Sequence, residues 1–151
     1  MLLAIADVPK YLDNALKAMT LNIEARTSFI TFVRGSISFV RLSRLTNMLH
    51  ACRYWLPDLL HHEHVALRFL PQRAYEQAAK LDVTPVPDVV TRVFMLFRGI
   101  REGEIDEWRA AGNDENLKPE EWKDVVGVDV ERASNKSLFR VLEWGGMEVK
   151  N

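Results

Sequence analysis

His61, His62, Glu63 and His64 are the densest run of candidate ligands in the chain. Imidazoles bind zinc when their lone pairs converge at about 2.0–2.1 Å. On a helix, His61 and His64 would be i,i+3 neighbours and could share a metal ion. The spacing is not H-E-x-x-H, in which two histidines hold the ion and a glutamate serves as base. No distant Cys or Asp stands ready to complete the shell, so a polar, solvated turn between Leu60 and Val65 is the preferred reading. Cys52 would need a histidine to lower its pKa before acting as a nucleophile. His50 lies two positions away and diverges from it on a helix, so an incidental apolar cysteine is expected. As the one cysteine of the chain, Cys52 also excludes an internal disulfide framework and a multi-cysteine metal site.

Glu102, Glu104, Asp106 and Glu107 offer carboxylates for acid–base or hard-metal chemistry, yet they lack the D-x-D-x-D-G spacing that wraps calcium. They read as a solvated acidic loop. Asp88 follows a rigid Pro85-Val86-Pro87 unit, where a polar side chain can cap or pin a turn. Arg92 interrupts an otherwise apolar strand face, and a buried arginine must be paired or hydrogen-bonded. Glu143 is the expected partner. A pair opening onto a cleft could hold an anionic ligand, which makes Arg92, Asp88 and Glu143 the candidate ligand-binding residues. Gly145-Gly146 lacks the spacing and the following helix of a phosphate loop. The two glycines are expected to turn the chain with positive φ or to allow a close backbone approach. Trp55 and Trp144 read as core, and Trp108 and Trp122 as partly exposed packing.

The elements that must position these residues follow from periodicity. Asp7 is a candidate cap for a helix starting near Val8-Pro9, with Tyr11, Leu12, Ala15, Leu16 and Met19 at helical spacing. Asn22 is a second cap, before Ile23 to Phe32, where Ile23, Ala25, Phe29 and Ile30 are available for burial. Val33 to Arg53 contains no Asp or Glu and carries Arg34, Arg41, Arg44 and Arg53. Its Phe39, Leu42, Leu45 and Leu49 share one helical face, and Arg34, Arg41 and Arg44 form a basic patch on another. Pro71 can open a helix to about Lys80, packing through Ala74, Tyr75, Ala78 and Ala79. The prolines of 84–88 predict extended backbone. Strands are predicted over 65–70, 89–98 and 137–144, the middle one central and covered on both faces. Val125 to Val130 reads as strand or loop. The sequence thus predicts an α+β fold, with N-terminal helices packed on a small sheet of about three strands.

Three local patterns occur together: Phe29-Ile30-Thr31 with Tyr54-Trp55-Leu56-Pro57, Pro85-Val86-Pro87-Asp88 leading into Arg92-Val93-Phe94-Met95, and Val141-Leu142-Glu143-Trp144-Gly145-Gly146. They span most of residues 22–149. Together they resemble the C-terminal part of a family of bacterial and fungal proteins of no established activity. That family's pattern runs F-I-x-Y-W-L-P, then P-x-P-D-x-x-x-R-V-F-M-x-F, then V-x-E-W-G-G. The resemblance implies no catalytic residue. It also carries a departure, because the 21 residues from Val33 to Arg53 fall between F-I-x and Y-W-L-P. Members of the family also extend further toward the N-terminus. The expectation is therefore either a gene-model fragment with a translated intron at 33–53, or a genuine helical insertion. Transcript sequencing separates the two.

The chain has 151 residues, 48% of them hydrophobic, which fits one domain with its own core. Its 20 basic and 21 acidic residues leave a net charge of −1, so no nucleic-acid partner is expected. No stretch approaches 18 apolar residues, and Asp7 ends the apolar start too early for a secretory signal. The expected location is the cytoplasm. Three functional readings follow. The preferred one is a non-enzymatic interaction or structural module with a protein partner and no cofactor. The second is a small-ligand or anion-binding domain, or an enzyme, using Arg92, Asp88 or the His61–His64 cluster. In the third, the basic helix 33–53 lies on an anionic membrane or an acidic partner. The acidic stretch 101–124, with nine acids and four bases, offers that helix an internal counterpart instead.

Overall fold

A computed structural model describes residues 1–38, 62–111 and 116–149, with the backbone alone described at 32–38. Among these residues the chain is an α+β fold whose sheet has the order β1-β2-β3-β4. The strands are β1 (Leu2–Ala4), β2 (His64–Phe69), β3 (Val89–Ile100) and β4 (Arg140–Glu148). β1 and β2 pair antiparallel, β2 and β3 antiparallel, and β3 and β4 parallel. The sheet thus has a fourth strand beyond the three expected. β1 is too short to show any periodicity, and the carbonyl of Met1 just before it accepts from Leu67 N–H at 2.9 Å.

Two N-terminal helices cover one face of the sheet. α1 (Val8–Ala18) buries Val8, Leu12, Ala15 and Leu16, a row at helical spacing. Asp7 sits at its N-cap position but makes no side-chain capping bond, since the preceding 3₁₀ turn already holds Asp7 in helical geometry. α2 (Ile23–Ser38) begins as its sequence dictates: Asn22 Oδ1 accepts from Ala25 N–H at 2.8 Å. Ile23 is left exposed in the first turn, whereas Phe29 is fully buried. The Phe29 ring sits 6.2 Å from Phe69 and 5.4 Å from Trp144, so α2 is clamped over β2 and β4.

The parallel β3–β4 pair needs a crossover, and it is built from α4 (Ile105–Ala110), α5 (Trp122–Val126) and α6 (Val130–Ser134). Trp108 of α4 packs with Leu2, Ala66, Ile100 and Ile105 on the second face of the sheet. Trp122 of α5 enters the main core, edge-on to Phe69 at 5.2 Å. It is fully buried rather than half-exposed, because its Nε1–H finds an acceptor in the Tyr11 hydroxyl at 2.7 Å. Tyr11 in turn donates to the Leu117 carbonyl at 2.6 Å. The segment 125–130 holds no strand: Val125 and Val126 end α5, residues 127–129 form a short loop that Gly127 enters at φ +80°, and Val130 opens α6, where Asp129 caps Arg132 N–H at 3.0 Å.

β4 starts three residues later than expected and runs on through Gly145-Gly146. Those glycines do not turn the chain. Gly145 lies where a Cβ would come within 3.2 Å of the Phe94 ring, so the close approach is its role. α3 (Gln72–Ala78) is a surface helix, and of its expected packing positions only Tyr75 is half-buried. His64 belongs to β2, opposite Ala4 and Ile100, and not to a helix that would pair it with His61. No helix among the described residues is long and apolar enough to cross a membrane.

Candidate functional site

β3 alternates its side chains between the two sheet faces. Val89, Thr91, Val93, Met95 and Phe97 are buried on one face, the last three in the main core. Arg92 points to the other face and is still only 4% exposed. The parallel register sets Arg92 directly beside Glu143 of β4. Arg92 Nε donates to Glu143 Oε2 at 2.5 Å, and Nη1 donates to the Ala79 carbonyl at 2.7 Å. The guanidinium carbon stands 4.1 Å over the Tyr75 ring, a cation–π contact. Tyr75 OH donates to the other Glu143 oxygen at 3.1 Å. Burial first, then the adjacent Glu143 carboxylate, raises the Tyr75 hydroxyl above the ordinary tyrosine range.

α3 is fastened to this centre from both sides. Gln72 Oε1 accepts from Arg92 N–H at 2.6 Å, and Gln72 Nε2 donates to the Gly127 carbonyl at 2.7 Å. The Tyr75 ring also stacks at 4.6 Å on Phe94, whose other edge rests on Gly145. Arg92 and Gln72 together therefore tie α3, β3, β4 and the end of α5 to one another. Between α3, the segment 81–87 and α5 lies a cleft of about 760 Å³. Its walls are Val83, Val86, Pro87, Val90, Val125 and Val126, with Arg92 in the lining and Arg73, Glu76 and Asp82 among the polar residues. Val86 is 87% exposed, at a point where the Thr84–Pro85 peptide is cis.

The structure brings Arg92 and Glu143 together and sends Asp88 elsewhere. Asp88 Oδ2 accepts from Phe139 N–H at 2.7 Å, and its carbonyl accepts from Arg132 Nη2 at 2.8 Å. It pins the start of β3 to the approach to β4 and does not line the cleft. His61 lies outside the described residues, as do Arg41, Arg44, Cys52 and Trp55, and of Arg34 only the backbone is described. Among the described residues the buried His64 Nδ1 has no hydrogen-bond partner. Among the described residues no three His, Cys, Asp or Glu side chains are grouped to hold a metal ion.

Sequence reasoning missed Gln72, Tyr75 as a cation partner, and the α5 wall. The one usable signal was Tyr75 at the inner position of a short helix after Pro71. No family model, no curated protein and no solved structure matches the chain.

Proposed function

We propose that this protein is a non-enzymatic binding module whose cleft takes an apolar segment of a protein partner. The observation that carries the reading is the cleft wall. Eight aliphatic or proline side chains, Pro71 and Leu81 among them, line one concave surface, and Val86, Val90 and Leu81 there are exposed to solvent. Apolar surface gathered in a concavity gains most from being covered. The arginine at the site supports recognition by shape more than by charge. Its cation is already matched by Glu143, by the Ala79 carbonyl and by the Tyr75 ring. The flanking Arg73, Glu76 and Asp82 carry both signs, which suits a peptide with an apolar centre and mixed polar ends.

Peptide selection by display against the full chain tests this, followed by mapping of the selected peptide on a ¹H–¹⁵N spectrum. Apolar-centred peptides should shift the amides of Val83, Val86, Val90 and Val125. Val86→Asp should weaken them by about ten-fold or more, since a carboxylate would have to be buried without a partner. A selection that yields only acidic ligands, or ligands indifferent to Val86→Asp but lost with Arg92→Met, would favour the anion-binding reading and remove this one.

A further inference from the structure

β2 accompanies β3 only as far as Phe69, opposite Met95. One further bond, from Leu70 N–H to the Phe94 carbonyl at 2.9 Å, ends that ladder, and the chain leaves the sheet at Pro71 to form α3. β3 itself reaches back to Val89, with β4 along its other side. Its first residues therefore have β4 on one side and the cleft on the other, and Val90 and Arg92 line that cleft.

The backbone phase of β3 is fixed by its two ends. Val89 N–H donates to the Phe139 carbonyl, and the Phe97 carbonyl accepts from Val149 N–H. Odd-numbered residues of β3 therefore turn their backbone groups toward β4, and even-numbered ones turn theirs toward the line of β2. On that side Arg92 N–H donates to Gln72 Oε1 at 2.6 Å, so a side chain stands where the next carbonyl of β2 would be. Beyond it, Val90 N–H, the Val90 carbonyl and the Arg92 carbonyl face the cleft and have no hydrogen-bond partner among the described residues. Helices flank this position on both faces of the sheet. Tyr75 of α3 lies over Arg92 on one, and Val126 of α5 shares the core of Val93 and Met95 on the other. The Gln72–Gly127 bond joins the two helices across the end of the slot. A site with a strand edge along its side and helices above and below is the place of a strand, and an α-helix, about 10 Å across, is too thick for it.

We infer that the partner's apolar segment, which rests on the binding reading above, is extended and joins the sheet as a strand beside Val90, in line with β2. Its backbone accepts from Val90 N–H and donates to the Val90 and Arg92 carbonyls, about three bonds in all. Its side chains alternate, one set toward α3 and the next toward α5. The charges of the lining add one feature. Arg92 is matched by Glu143, which leaves Glu76 and Asp82 against Arg73. The segment therefore carries a Lys or Arg beside its apolar run.

The test takes peptides selected by display against the full chain and remakes each with one N-methyl amide at a time. Affinity measured by calorimetry should fall about ten-fold or more at every second position of the bound run, and by less than about two-fold at the positions between. The selected peptides should carry a base beside that run. On the protein side, Val90→Pro removes the donor at an edge position where a strand accepts proline, and should weaken binding about ten-fold. Val90→Ala keeps the donor and trims only the wall, and should cost about three-fold. The Val90 amide should exchange freely in the chain alone and slow about ten-fold or more when peptide is added. N-methyl losses that do not alternate, or that recur every three to four residues, overturn strand addition and leave the binding module standing. Peptides flanked by acids, or a Val90 amide already protected in the chain alone, overturn it as well. A selection that returns no apolar peptide removes both readings.

Discussion

Removing Glu143 should destabilise the fold more than removing Arg92, although both changes break the same ion pair. The asymmetry comes from burial. The Arg92 side chain is 5% exposed and that of Glu143 33%. Glu143→Leu strands a cation away from water, and breaking a buried pair in this way costs about 3–5 kcal/mol. The Ala79 carbonyl at 2.7 Å and the Tyr75 ring at 4.1 Å remain and offset part of that. Together with the partial exposure of Glu143, they bring the expected loss to about 2 kcal/mol. Arg92→Met keeps an unbranched apolar stem in place. It leaves a carboxylate that water already reaches and that Tyr75 OH still serves. The main loss is the bond to Ala79, about 1 kcal/mol. The double variant Arg92→Met/Glu143→Leu buries no charge and should lie within about 1 kcal/mol of the parent. The two single changes are then non-additive by about 2 kcal/mol. Urea unfolding followed by far-UV circular dichroism at neutral pH measures all four proteins. For a chain of this length the Glu143→Leu loss corresponds to about 4–8 °C in Tm. If Arg92→Met is as damaging as Glu143→Leu, or if the double variant is the sum of the singles, the cation is not held by Glu143 in the way the geometry implies.

Two further outcomes test the core and the sheet. The Tyr11 hydroxyl is pushed up to about 12, chiefly by burial, with the Trp122 indole pulling the other way and the Glu121 and Glu120 charges adding to the rise. Its folded value lies above its unfolded one, so its contribution is complete below pH 10 and fades as pH climbs toward 12; absorbance titration should show a late tyrosine that vanishes in Tyr11→Phe, at a cost of about 1–3 kcal/mol from the orphaned Trp122 Nε1–H and Leu117 carbonyl. An alkaline titration unchanged by Tyr11→Phe would contradict the buried assignment. Gly145→Ala should cost about 1 kcal/mol, because its Cβ would press on the Phe94 ring at 3.2 Å. Gly103→Ala, with nothing within 4 Å of the added carbon, should be neutral or stabilising, and equal losses at the two sites would show that glycine propensity rather than ring contact decides.

What could be read from the residues was whatever repeats at short range. The rows Leu12-Ala15-Leu16 and Val89-Thr91-Val93-Met95 are each one period of a helix or a strand, and both lie in the core as their spacing requires. Arg92 was legible for a different reason, since a charge inside an apolar strand has to be answered by a partner, and the E-W-G-G strand carried the nearest spare carboxylate. What could not be read depends on pairs far apart in the chain. Trp122 is buried because Tyr11, 111 residues away, accepts from its indole. Val125 and Val126 favour a strand by type, yet the acid-rich turn before them and Gly127 after them close a helix there instead. Gly145-Gly146 looked like an end because glycine so often is one. The chain instead continues as a strand through both, and at Gly145 the Phe94 ring occupies the space of a side chain. The same logic explains why the cleft escaped detection. Its floor residue was visible in one strand, but its walls come from three separate segments that share no period. Gln72 aligns those segments by bonding Arg92 on one side and Gly127 on the other. A site assembled in this way depends on the sheet register first and on its lining residues second, so changes that shift β3 against β4 should disturb the cleft more than changes to any single wall residue.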